Sequence, residues 1–116
     1  MTPTRLAIAW TLAILVACSI PGADLRPPSM LPFAFDKWVH AGMFLVFGLL
    51  WMWARPGRMW AVFAAGVVFG IGIEVWQGLL PIDRSADALD AAADVVGLMV
   101  GVPLGRILAR RAEGNG

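Results

Sequence analysis

The sequence has no tyrosine, one cysteine, one histidine and little charge: Asp, Glu, Lys and Arg make up only 15% of its 116 residues. Each shortage removes a class of explanation. A lone cysteine, Cys18, forms neither an internal disulfide nor an all-cysteine metal centre. A net charge of +1 gives no electrostatic footprint for nucleic acid. Soluble domains are about 25% charged and about 45–50% apolar. Here 59% of residues are apolar and the mean hydropathy is +0.76. A water-soluble domain of this length cannot enclose so much apolar surface, whereas a bilayer accepts it. No stretch alternates with the strand period, which argues against a transmembrane β-barrel.

Apolar runs are what the sequence does have. At about 1.5 Å of rise per residue, a helix needs roughly 20 residues to cross a hydrocarbon core of about 30 Å. Four stretches approach that length: 6–20, 38–54, 59–80 and 89–108. The first is uncharged and stops at Pro21-Gly22. The second carries only His40, the third only Glu74, and the fourth Asp90, Asp94 and Arg106. Backbone groups cannot stay unpaired in lipid, so these stretches should be helical. The expectation is an all-α integral membrane bundle of about four short transmembrane helices. They run antiparallel, up and down, in a single domain over residues 1–116. The first two spans are short and fit either an upright helix or a locally thinned bilayer.

The connections differ in kind. Arg55-Pro56-Gly57-Arg58 predicts a tight turn, making the second and third helices antiparallel neighbours. Residues 21–37, with Pro21, Pro27, Pro28 and Pro32, form the longest loop, and 81–88 a short polar one. One side of the membrane would then hold Arg5, Arg55, Arg58, Arg106, Arg110 and Arg111, the other Arg26, Lys37 and Arg84. This bias predicts that both termini are cytoplasmic. Trp51, Trp53 and Trp60 then fall at the inner boundary, and Trp38 and Trp76 near the outer one. Arg5, an apolar run and Leu15-Val16-Ala17-Cys18 also follow the order of a bacterial lipoprotein signal with a lipidated cysteine. An ordinary first span that contains a cysteine accounts for the same residues.

Polar residues within the spans keep to narrow stripes. Gly66, Gly70, Glu74 and Gln77 are spaced four, four and three apart, which places them on one helix face. Asp87, Asp90, Asp94, Gly97, Gly101 and Gly105 do the same on the last helix. Glycines four apart allow close helix approach in a membrane, within one chain or across a dimer. Glu74 lies about 9 Å along the axis from Leu80, and Asp94 at a similar depth from Leu89. His40, Glu74, Gln77, Asp90 and Asp94 therefore reach the same outer third of the bundle, rimmed by Asp36, Lys37, Arg84 and Asp87. An acid at the bilayer centre costs roughly 2.5–3.5 kcal/mol on insertion scales. Several together need partners or water, and this marks a site. The alternative is that Arg84, Lys37 and His40 neutralise the acids and pin the helices together. Pro103 removes one backbone bond and predicts a bend in the last helix.

The chemistry open to such a cluster is limited. Glu74, the most isolated acid, is the candidate for proton exchange. Together with His40 and Asp90 it forms the candidate general acid–base set. His40, Glu74, Asp90 and Asp94 are candidate ligands of a divalent cation, although their spacing matches no standard zinc motif. No other cofactor is evident, and no phosphate-binding glycine loop is present. Arg84 and Lys37 are suited to a phosphate or carboxylate of an envelope substrate.

Asp36-Lys37-x-x-His40-x-x-x-Phe44-x-x-x-Gly48, then Glu74-x-x-Gln77, Arg84-Ser85, Asp90, position 94, Gly97 and Gly101, lie in order on successive apolar segments. This set resembles the VanZ-like family over about residues 36–105. One position departs: the family usually has Asn where this chain has Asp94, which adds an acid to the pocket. The resemblance implies a small multi-pass protein of the bacterial cytoplasmic membrane with a cell-envelope role. The family's namesake is associated with tolerance to teicoplanin, a lipid-bearing glycopeptide, more than to vancomycin. Carried over, the implied site residues are Asp36, Lys37, His40, Glu74, Gln77, Arg84 and Asp90.

The leading expectation is an envelope accessory protein. It would engage a lipid-linked precursor or a lipoglycopeptide through Asp36, Lys37, His40, Glu74, Gln77, Arg84, Asp87, Asp90 and Asp94. A membrane-embedded hydrolase or transferase on a lipid-linked substrate is the second expectation, and a small proton- or ion-coupled carrier the third. The expected partners are the bilayer and, through the glycine faces, a second copy of the chain.

Overall fold

A computed structural model describes residues 2–20, 34–80 and 88–114, with side chains in the second helix from Lys37 onward. The described residues form four helices: α1 (Pro3–Ser19), α2 (Ala34–Ala54), α3 (Met59–Leu79) and α4 (Ala88–Gly114). No strand occurs among them. α2, α3 and α4 are long and apolar enough to cross a membrane, and α1 is a shorter apolar helix of 17 residues.

Local chemistry accounts for the start of α1 and the turn between α2 and α3. Thr2 caps α1 by accepting the Arg5 backbone N–H at 3.2 Å, and Pro3 sits at the first helical position, where its missing N–H costs nothing. Between α2 and α3, Arg55–Arg58 makes the expected tight turn, closed by a bond from Arg58 N–H to the Arg55 carbonyl at 3.1 Å. α4 continues past Leu108 as far as Gly114. Those added residues include Ala109, Arg110, Arg111, Ala112 and Glu113, all good helix formers apart from any lipid contact. Pro103 lies inside α4 without interrupting it.

The exterior is apolar and several polar groups are inside, the reverse of a water-soluble bundle. Leu12, Val16, Val68, Ile71, Val75, Leu79, Val96 and Met99 are exposed, whereas His40, Glu74, Gln77, Asp90 and Asp94 are buried. The core between the helices is built on Phe44, Phe47, Met52, Ile73, Leu98 and Val102. Phe47 stacks on Phe69 with ring centroids 5.9 Å apart.

The tight turn does not make α2 and α3 the principal pair. The most extensive contact is between α2 and α4, and α3 packs mainly on α4. α2 and α4 run parallel, because matching positions advance together: Gly97 lies against Ala41, Gly101 against Leu45, and Gly105 against Leu49 and Met52. A β-carbon on Gly97 would lie 2.2 Å from the Ala41 carbonyl oxygen, and one on Gly101 2.2 Å from that of Leu45. Gly48 meets the facing backbone in the same way, its β-carbon position falling 2.8 Å from the Val102 nitrogen. The two backbones are thus in direct contact, and the glycine face is occupied within one chain.

α1 is held by indole and hydroxyl groups. Trp10 Nε1 donates to the Met43 carbonyl and Trp51 Nε1 to Thr11 Oγ1, both at 2.9 Å. Trp76 Nε1 donates to Ser19 Oγ at 2.9 Å on the α3 side. Trp51 and Trp76, expected at the membrane boundaries, therefore also fasten α1 to the bundle. The Cys18 thiol is buried against the core within this helix.

Gly97→Ala or Gly101→Ala must push α2 and α4 apart, at about 1–3 kcal/mol for overpacking. Gly42→Ala and Gly72→Ala, where nothing lies within 4 Å of the new β-carbon, should be neutral or slightly stabilising. Thermal unfolding in detergent, followed by tryptophan fluorescence, separates the two pairs.

Candidate functional site

The α2–α4 register brings the polar residues together. Ala41 and Gly97 face each other, so His40 and Asp94 come to lie side by side, and one turn further out Lys37 meets Asp90. His40 Nδ1 lies 2.9 Å from Asp94 Oδ1, and both residues are only 1% exposed. With Asp94 ionised, Nδ1 carries the proton and donates to it. This turns Nε2 toward Asp90, whose Oδ2 is 3.9 Å away. The other oxygen of Asp90, Oδ1, accepts a charge-assisted bond from Lys37 Nζ. Asp90 also sits in the first turn of α4, where the helix dipole favours a negative charge.

α3 supplies Glu74, 6% exposed, and the space for its neighbours. A β-carbon at Gly70 would lie 3.0 Å from Asp94 Oδ2, so this glycine accommodates the Asp94 side chain. His40, Glu74 and Asp90 each offer one ligand atom, and these atoms all lie within 4.8 Å of one another. Of the four candidate metal ligands, these three form the group. Asp94 stands behind His40, orienting the ring as a carboxylate often does for a ligating histidine. One imidazole and two carboxylates suit a divalent cation of intermediate hardness.

Gln77 has a partner outside the acidic group. It is on the same face as Glu74 and 2% exposed, but its Nε2 donates to the Cys18 carbonyl at 3.1 Å. The bond ties α3 to α1 beside the cluster. The remaining expected residues, Arg84 and Asp87, lie outside the described residues, as does the side chain of Asp36. Sequence reasoning missed Gly70 as the residue that makes room for Asp94, although its place on the Glu74 stripe was the signal. It also missed Cys18, which contributes its backbone carbonyl. No residue-type rule marks a carbonyl acceptor.

Lys37→Met leaves the buried Asp90 carboxylate without its ammonium, and breaking such a pair costs about 3–5 kcal/mol. Lys37→Met/Asp90→Leu removes both charges and should recover most of that loss. Unfolding of the single and double variants in a double-mutant cycle measures the coupling, and a double variant no more stable than Lys37→Met alone would show that the pair is not coupled. Compared with models of protein families, with curated proteins and with solved structures, the chain gives no match.

Proposed function

We propose that the chain is a VanZ-like accessory protein of the bacterial cell envelope. It lies in the cytoplasmic membrane with both termini inside, and presents an acidic pocket to the outer surface, where it engages a lipid-linked precursor or a lipoglycopeptide. The observation that carries this reading is the buried set of His40, Glu74, Asp90 and Asp94 with Lys37 at one end of an apolar bundle. Ionisable groups are expensive at that depth and are, by default, functional in a membrane protein. Their order along the chain, with Asp36, Gln77 and Arg84, is the resemblance described above. The excess of arginine at the opposite end supports the orientation. The core between α2, α3 and α4, made of Phe44, Phe47, Leu98 and Val102, offers an ion no polar route, which disfavours a carrier.

Expression of wild type, Glu74→Gln and Asp90→Asn at matched membrane levels in a susceptible bacterium tests the reading. Wild type is expected to raise the inhibitory concentration of teicoplanin several-fold and that of vancomycin less, with the effect lost in both variants. Equal inhibition with and without the folded wild type would remove the glycopeptide role.

One observation favours a second reading. Catalytic metal sites commonly use three protein ligands, and His40, Glu74 and Asp90 each offer one ligand atom, all within 4.8 Å of one another. A membrane-embedded hydrolase on a lipid-linked substrate would lose turnover, with binding retained, on Glu74→Gln. Full turnover in that variant excludes Glu74 from the chemistry.

A further inference from the structure

The opposite end of the bundle carries a second polar feature that the acidic cluster does not use. The α2–α3 turn, the first turn of α3 and the last turns of α4 enclose a recess of about 470 Å³. Arg58, Arg106 and Arg110 line it, with Glu113 as the one acid. Among the described residues no carboxylate is within ion-pair distance of those three guanidinium groups. Arg106 is half-buried and donates instead to Met59 Sδ at 3.4 Å, a weak acceptor. Arg106 and Arg110 lie four residues apart on one face of α4, where like charges repel.

The start of α3 adds backbone donors to the same recess. Its cap residue, Arg58, makes no side-chain capping bond. The first helical bond runs from the Val62 N–H to the Arg58 carbonyl, at 2.9 Å. The N–H groups of Met59, Trp60 and Ala61 therefore precede the helical ladder, and these three residues line the recess. Unbonded N–H groups and the positive end of the helix dipole favour an anion, and guanidinium groups bind phosphate in a bidentate way.

The surroundings identify the kind of anion. Trp60, which lines the recess beside the arginines, is 76% exposed, and Ile107, next to Arg106 on α4, is exposed as well. A soluble anion has no use for an apolar rim; a phosphate that carries acyl chains does. We propose that the recess binds the phosphodiester headgroup of an anionic phospholipid. Arg58, Arg106 and Arg110 hold the phosphate at the mouth of α3, and the acyl chains lie along Trp60 and Ile107. Basic recesses between transmembrane helices are suited to such headgroups.

The full-length chain, purified in a neutral detergent, is unfolded by heat with phosphatidylglycerol, phosphatidylcholine or inorganic phosphate added. Phosphatidylglycerol should raise the midpoint by several degrees and phosphatidylcholine should not. The shift should vanish in Arg58→Gln/Arg106→Gln/Arg110→Gln and persist in Arg111→Gln, a residue outside the recess. If the triple variant does not fold, Arg110→Gln, at an exposed position, is read by native mass spectrometry. Its retention of phosphatidylglycerol should fall about tenfold. A shift of equal size with phosphatidylcholine overturns the proposal, as does an undiminished shift in the folded triple variant or undiminished retention by Arg110→Gln. An equal shift with inorganic phosphate replaces the lipid with a soluble anion and overturns it too.

Discussion

The backbone contact between α2 and α4 sets the rest of the structure. Inside a bilayer, burying apolar side chains gains little, since lipid tails are as apolar as leucine, and helices associate through close packing instead. Gly97, Gly101 and Gly105 bring α4 against Ala41, Leu45 and Met52, at distances that no other residue type allows. The resulting register is a ladder, and its outer rungs are polar. One step beyond Ala41–Gly97 stands His40–Asp94, and one turn further Lys37–Asp90. A slip of one turn between these two helices would take each acid away from its present partner.

α3 and α1 complete what that pair begins. α3 contributes Glu74 to the cluster and Gly70 to its clearance, and packs Ile73 and Gly66 against the core around Leu98. α1 contributes no charged side chain to the cluster. It covers the side of the bundle and is fixed by bonds from Trp10, Trp51, Trp76 and Gln77. Directional bonds are a sensible means of holding a short helix where hydrophobic attraction is absent. The two ends of the assembly also differ in sign. Carboxylates predominate around Asp90, and guanidinium groups around Arg106, about 24 Å away along the helix axis at the usual rise.

Much of this was legible beforehand because it follows from periodicity. The four apolar runs gave the helices, and steps of three and four placed Glu74 and Gln77 on one face and Asp90, Asp94 and the glycines on another. Those faces are the buried ones. The convergence of His40 with Glu74 and Asp90 followed from comparing depths along alternating helices. The partners were harder to foresee. A tight turn makes α2 and α3 consecutive but does not make them the main contact; that falls to α2 and α4, which are not adjacent in the chain. The glycine stripe indicated a close approach without indicating to what. Gln77 was read as part of the cluster because it shares its face, but an amide also satisfies a helix carbonyl, and Cys18 lies within its reach. The basic recess escaped notice because its arginines were used only as a count to orient the chain.

The parallel contact also bears on how the chain is made. α2 leaves the ribosome well before α4, with α3 intervening. Until α4 enters the membrane, the face of α2 bearing Lys37, His40, Ala41 and Leu45 lacks its partner, and so does the Glu74 face of α3. A chain whose α4 has not yet entered the membrane therefore displays unmatched charge inside the bilayer, and α4 hides it. Entry of α4 into the membrane and concealment of the polar groups therefore become a single event.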